Sequence, residues 1–210
     1  MNKTTYIFEY LSELFPNAHC ELEYGKDYEL LIAIILSAQC TDKRVNMVTR
    51  ILFDKYPTLE SLNSASLLDI ENAIKSLGLY KNKAISIKRT VDILLKDYHG
   101  IVPREKEKLI KLPGVGIKTA NVFRAEWFKE PEIAVDTHVS RVAKRLGFAD
   151  EFDSVELVEA KLRKKLDRKD YISAHHLMIH FGRYFCKAVK PNCDKCKLKD
   201  ICNFKKLEIH

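Results

Sequence analysis

No stretch of this sequence approaches the roughly 18 uninterrupted apolar residues of a membrane span; the richest, Leu30 to Ala38, is far too short. No segment alternates polar and apolar residues long enough to be a strand, so a sheet is excluded as the frame. Internal repeats, low-complexity tracts and long linkers are missing too, which leaves helix-to-helix turns to join any two domains. The N-terminal stretch carries Lys3, but Glu9 and Glu13 interrupt it before an apolar signal core forms. No export signal is expected, and the cytoplasm is the expected compartment, with association to the nucleoid if the source is prokaryotic.

The 210 residues are 46% hydrophobic and 31% charged, proportions of an ordinary globular chain with one large core or two modest ones. Apolar spacing is helical: Leu30, Leu31, Ile34, Ile35 and Ala38 form one stripe, and Ala84, Ile87, Val91, Leu94 and Leu95 another. Ser66 suits a helix start, Gly78 and Gly100 fall where helices should stop, and Pro103 suits the first turn of the next. About ten short helices are predicted, an all-α fold, with Pro131 as the boundary between two domains. The formal net charge is +7, from 36 Lys and Arg against 29 Asp and Glu, which favours a polyanionic partner.

Of the six cysteines, Cys186, Cys193, Cys196 and Cys202 crowd one C-terminal loop, spaced C-x6-C-x2-C-x5-C, and Cys20 and Cys40 stand alone. That distribution argues for metal ligation rather than disulfides. The intervening residues, among them Lys187, Lys190, Lys195, Lys197 and Lys199, are too polar to pack as a core, so something other than apolar burial must order the loop. Iron–sulfur and zinc both suit four thiolates, although four-cysteine zinc sites usually show two close pairs and only Cys193 and Cys196 are close here.

Between helical stretches lies Leu112-Pro113-Gly114-Val115-Gly116-Ile117-Lys118-Thr119-Ala120. It reads as a helix–hairpin–helix, in which Gly114 and Gly116 let the backbone come close to another group and the next helix N-terminus can hold a phosphate. Lys118 falls in that helix's first turn, a poor place for a cation. The positive dipole end and partial burial there both favour the neutral amine that a nucleophile needs. Asp136, followed by Thr137 and His138, precedes the apolar helix of Val139, Val142, Ala143 and Leu146. It can be an N-cap, a catalytic carboxylate, or both.

Five stretches now carry a resemblance: Leu36 to Asp42, Gly78-Leu79-Tyr80, Leu112 to Asn121, Ala134 to His138, and the cysteine loop. In these, and in their order, the chain resembles the endonuclease III family of helix–hairpin–helix DNA glycosylases. The resemblance implies a two-lobed fold, with a six-helix barrel over 22–132 and a discontinuous domain of 1–21 and 133–210 that carries a [4Fe–4S] cluster in the loop 186–202. It implies a bifunctional glycosylase and abasic-site lyase acting on oxidised pyrimidines in double-stranded DNA. Lys118 would attack the sugar, Asp136 would assist, and β-elimination would nick the strand in base excision repair. Gln39 and Leu79 would enter the duplex as plug and wedge where the base is flipped out, with Gly114, Gly116 and His138 also on the DNA. Cys186, Cys193, Cys196 and Cys202 would ligate the cluster.

Arg141 is a candidate phosphate or carboxylate partner, and His175-His176 is expected to be buried. Ile117 departs from the basic residue common there in relatives, so one DNA contact would be missing. Rival readings are a mismatch-specific glycosylase of the same superfamily, which tends to lack the lysine, and a non-catalytic DNA-binding module, which needs neither Lys118 nor Asp136. A monomer is expected, since each apolar stripe is needed inside.

Overall fold

The computed structural model describes residues 2–204, among which eleven α-helices and no strand occur. The all-α reading holds. No described helix is long and apolar enough to cross a membrane. The chain divides into two compact units, residues 21–130 and residues 1–20 with 131–210. They are called the hairpin unit and the cysteine unit below.

The hairpin unit holds α2 (Asp27–Ser37), α3 (Asp42–Lys55), α4 (Leu59–Ser64), α5 (Leu67–Ile74), α6 (Tyr80–Tyr98), α7 (Lys106–Leu109) and α8 (Ile117–Trp127). Its centre is α2, which buries every residue from Leu30 to Leu36 and packs on α3, α6 and α8. A helix apolar on all sides belongs inside, where each such side chain contributes about 1.5–3 kcal/mol. Ala38 departs from its expected stripe: α2 ends at Ser37, the backbone turns away at φ −56° and ψ 116°, and Ala38 is exposed. The second stripe does line α6, with Ala84, Ile87, Val91 and Leu94 buried and Leu95 partly so.

Capping explains the boundaries. Ser66 accepts a hydrogen bond from the Asp69 N–H at 3.1 Å and starts α5, and Thr41 and Thr58 do the same for α3 and α4. At the other end of α6, His99 and Gly100 are both left-handed, and the Gly100 N–H returns to the Leu94 carbonyl at 2.9 Å. Pro103 is not in a helix's first turn as expected, because α7 begins only at Lys106.

In the cysteine unit, α1 (Lys3–Leu14), α9 (Thr137–Arg145), α10 (Val155–Lys165) and α11 (Tyr171–His180) surround a core that includes Ile7, Leu11, Val139, Val142, Leu162 and Met178. Helix α11 runs on into one π turn, Phe181–Phe185, that delivers the chain to Cys186.

Candidate functional site

The hairpin is built from apolar anchors and one obligatory glycine. Leu109, Leu112 and Val115 are buried, the Val115 N–H donates to the Leu112 carbonyl at 3.1 Å, and Thr90 Oγ1 donates to the Pro113 carbonyl at 3.0 Å. Gly114 has φ +79°, and a Cβ there would stand 3.0 Å from Ser86 Cβ and 3.2 Å from Ile35 Cγ2. Conformation and packing both demand glycine. Gly116 is different: its φ is −92°, it is exposed, and an added Cβ would meet nothing within 4 Å.

Gly116 is also the N-cap of α8, and it supplies no capping side chain. The first turn of α8 therefore presents N–H groups that its own cap does not satisfy. Lys118 is the second residue of that turn. It is exposed, which corrects the partial burial expected of it; the buried positions begin with Ala120 and Asn121.

Asp136 lies in the cysteine unit as the N-cap of α9, its Oδ1 accepting from the Val139 N–H at 2.7 Å. His138 follows in the first turn, half-buried, with Nδ1 3.3 Å from Arg141 Nη2. Burial pushes its imidazole below the ordinary value; Asp136 opposes this and the guanidinium groups of Arg141 and Arg183 add to it.

Arg141 is not placed as a phosphate or carboxylate ligand. Its Nη2 donates to the Gly182 carbonyl at 2.7 Å and its Nε to the Cys186 carbonyl at 3.3 Å. Gly182 is tight against the same helix, since a Cβ there would be 3.1 Å from His138 Cβ and Val142 Cγ2. The expected burial of His175 and His176 is found, their rings edge to face at 5.3 Å.

Gln39 and Leu79 share an unusual backbone. Both are left-handed, at φ 57° and 58°, and both are exposed, Leu79 by 59%. Such conformations are disfavoured for residues with side chains and persist only where the surroundings hold them. The holding group went unnoticed in the sequence: the buried Lys83 in α6. Its Nζ donates to the carbonyls of Leu36 (2.9 Å) and Ala38 (2.7 Å) and reaches Cys40 Sγ at 3.3 Å, while its N–H donates to the Leu79 carbonyl at 3.1 Å.

In the cysteine unit, Cys186, Cys193, Cys196 and Cys202 all line one pocket, closed on its apolar side by Leu146, Phe181 and Phe185. Burial pushes the Cys196 thiol up, a Leu198 backbone hydrogen bond opposes it, and the other three cysteines add to it. Backbone contacts tether the loop from two helices. From α9, Arg145 donates to the Lys187 carbonyl at 2.8 Å and reaches Cys186 Sγ at 3.3 Å. From α1, Tyr6 and Tyr10 donate to the carbonyls of Lys197 and Lys195, both at 3.3 Å. Lys197 pairs with Glu13 at 2.7 Å, whereas Lys187, Lys190, Lys195 and Lys199 are exposed. Among the described residues, no three His, Cys, Asp or Glu side chains are gathered as a single metal ion would require.

The chain as a whole is similar to known proteins. The HhH-GPD superfamily of base excision DNA repair proteins matches residues 32–168. Endonuclease III of Bacillus subtilis strain 168 is 46% identical over 202 residues, covering 96% of this chain and 92% of its own length. The Rickettsia conorii endonuclease III is also 46% identical, over 94% of each chain. A trapped endonuclease III–DNA covalent intermediate, solved as an estranged-adenine complex, superposes with a TM-score of 0.93 at 47% identity over the whole of both chains. A thermostable thymine-DNA glycosylase shares the fold, with a TM-score of 0.82 at 23% identity. The chain belongs to the endonuclease III family of the HhH-GPD superfamily, DNA glycosylases with abasic-site lyase activity that act in base excision repair.

Proposed function

We propose that Lys118 is the nucleophile and Asp136 its assisting carboxylate, acting on oxidised pyrimidines and abasic sites in double-stranded DNA. One observation carries the assignment: an exposed lysine in the first turn of a helix whose N-cap, Gly116, meets no internal demand for glycine. A cation there gains nothing for the fold. A bare glycine followed by uncapped N–H groups suits a DNA phosphate, which would bring the sugar to the lysine.

The chemistry follows from the amine. Neutral Nζ attacks C1′, the C1′–N bond breaks, and the departing base takes up the bonding electrons and a proton. Loss of a proton from nitrogen and opening of the sugar ring leave a Schiff base. Removal of a C2′ proton then expels the 3′ phosphate by β-elimination, which nicks the strand, and water releases the lysine. Asp136 commits Oδ1 to the helix cap, so its orientation is fixed, and its charge stabilises the cationic sugar that forms as the base leaves. Gln39 and Leu79 fill the space of the extruded nucleotide.

The cysteine pocket fits a [4Fe–4S] cluster. Four thiols line one cavity whose apolar side is closed by Leu146, Phe181 and Phe185, and thiolates are the soft donors that hold iron–sulfur clusters. When bound, the cluster cross-links a loop that lacks an apolar core of its own. The exposed Lys187, Lys190, Lys195 and Lys199 face phosphates.

Borohydride trapping on a duplex with one thymine glycol or abasic site tests the nucleophile. Wild type should form a covalent adduct, and Lys118→Ala should form none while still binding the duplex. An undiminished adduct with Lys118→Ala would remove the assignment.

A further inference from the structure

Lys83 and Glu126 are the charged side chains buried in the hairpin unit among the described residues, and Lys83 is 6% exposed. An ammonium is tolerated inside only when its donors are satisfied. A helix C-terminus supplies such acceptors, and capping α2 would by itself explain the contact with the Leu36 carbonyl at 2.9 Å. That capping extends to the Ala38 carbonyl, the C-cap of α2, but does not explain the contact with Cys40 beyond it. The Ala38 carbonyl at 2.7 Å and Cys40 Sγ at 3.3 Å belong to the two neighbours of Gln39, so the ammonium grips that left-handed residue from both sides. The same residue's N–H, bonded to the Leu79 carbonyl at 3.1 Å, closes the first turn after the second left-handed residue.

We infer that Lys83 is a positioning residue that sets the spacing between Gln39 and Leu79, so that both enter the duplex together at the extruded nucleotide. The inference rests on the role proposed for those two side chains. Both loops carry backbone strain that something must hold, and one residue, 47 positions along the chain from Leu36, holds both. Rates are sensitive to placement at this scale, since a shift of about 1 Å can cost about a hundredfold. The role is confined to steps that need the base extruded. It touches neither Lys118 nor the sugar chemistry.

The test compares wild type with Lys83→Met, Gln39→Ala, Leu79→Ala and the Lys83→Met/Gln39→Ala double variant. Three readouts are taken on duplexes of one sequence: single-turnover release of thymine glycol, nicking of a ready-made abasic site, and fluorescence of 2-aminopurine opposite the lesion. Lys83→Met should slow base release between about tenfold and about a hundredfold. It should change nicking less than about threefold and blunt the fluorescence rise, and the double variant should be no slower than Gln39→Ala alone. Lys83→Gln, which keeps an N–H donor, should fall between, and it serves if Lys83→Met does not fold. Equal losses of base release and nicking, or independent losses in the double variant, would mean a merely structural lysine. If Gln39→Ala and Leu79→Ala release base at the wild-type rate, the reading of both loops falls and the inference with it. If they are slow and Lys83→Met is not, only the inference falls.

Discussion

The hairpin and the cysteine loop are both turns proposed to lie against DNA phosphates, yet they are held in opposite ways. The hairpin is fixed by its own chain: Leu112 and Val115 are buried, Gly114 is seated against Ser86 and Ile35, and Thr90 ties down the Pro113 carbonyl. The cysteine loop buries Leu198 and rests Cys186, Cys196 and Ile201 partly on the core, but its carbonyls are held by side chains of α1 and α9. Those contacts are exposed or partly buried hydrogen bonds, each worth only about 0.5–1.5 kcal/mol. The hairpin should therefore keep its shape unaided, whereas the cysteine loop depends on what its four thiols bind.

The largest expected effect attacks the dependent side. Cys196→Ser should remove the visible absorbance of the purified protein and let amides of residues 186–202 exchange within about tenfold of an unstructured chain, while α8 and the hairpin stay protected. Exchange that speeds up equally in both regions, or a colourless wild type that holds zinc, would erase the contrast.

A second, smaller effect sharpens the self-held side by setting its two glycines apart. Gly114→Ala must accept φ +79° and a Cβ 3.0 Å from Ser86, and should destabilise the chain by about 2–5 kcal/mol. Gly116→Ala meets neither obstacle and should leave stability within about 0.5 kcal/mol, but weaken duplex binding about tenfold by keeping the phosphate off the helix N-terminus. Chemical denaturation and a binding titration at one salt concentration check both. A large stability loss at Gly116 would show that the fold, not the ligand, requires that glycine.

Much of this was legible in the residues alone. Apolar stripes placed α2 and α6, Ser66 marked a helix start through its hydroxyl, and the hairpin and cysteine spacings pointed to their chemistry. What stayed hidden depends on backbone carbonyls and on the sign of φ. Lys83 gives little signal in the sequence, because the carbonyls that it caps are main-chain groups more than forty residues away. Its one trace was a place four residues before Ile87, on the buried side of α6. Arg141 was misread for the same reason, its guanidinium being spent on the Gly182 and Cys186 carbonyls. Nor does any pattern distinguish Gly114 from Gly116, or reveal that Gln39 and Leu79 are left-handed.

The smallest effect probes α9, which Asp136 caps and which braces the start of the cysteine loop through Arg141 and Arg145. Half-burial holds the His138 imidazole below its ordinary value of 6.5, helped by Arg141 and Arg183 and opposed by Asp136. The unfolded chain then takes up a proton at His138 at a higher pH than the folded chain does. Its contribution to stability is complete above about pH 6.5 and declines on acidification toward the lowered folded value. Thermal melts of wild type and His138→Gln should therefore run parallel above pH 7 and converge or cross below pH 6.5, with wild type losing the more. Melts that stay parallel throughout would mean that the imidazole titrates alike in both states, so that its half-burial does not resist its charging.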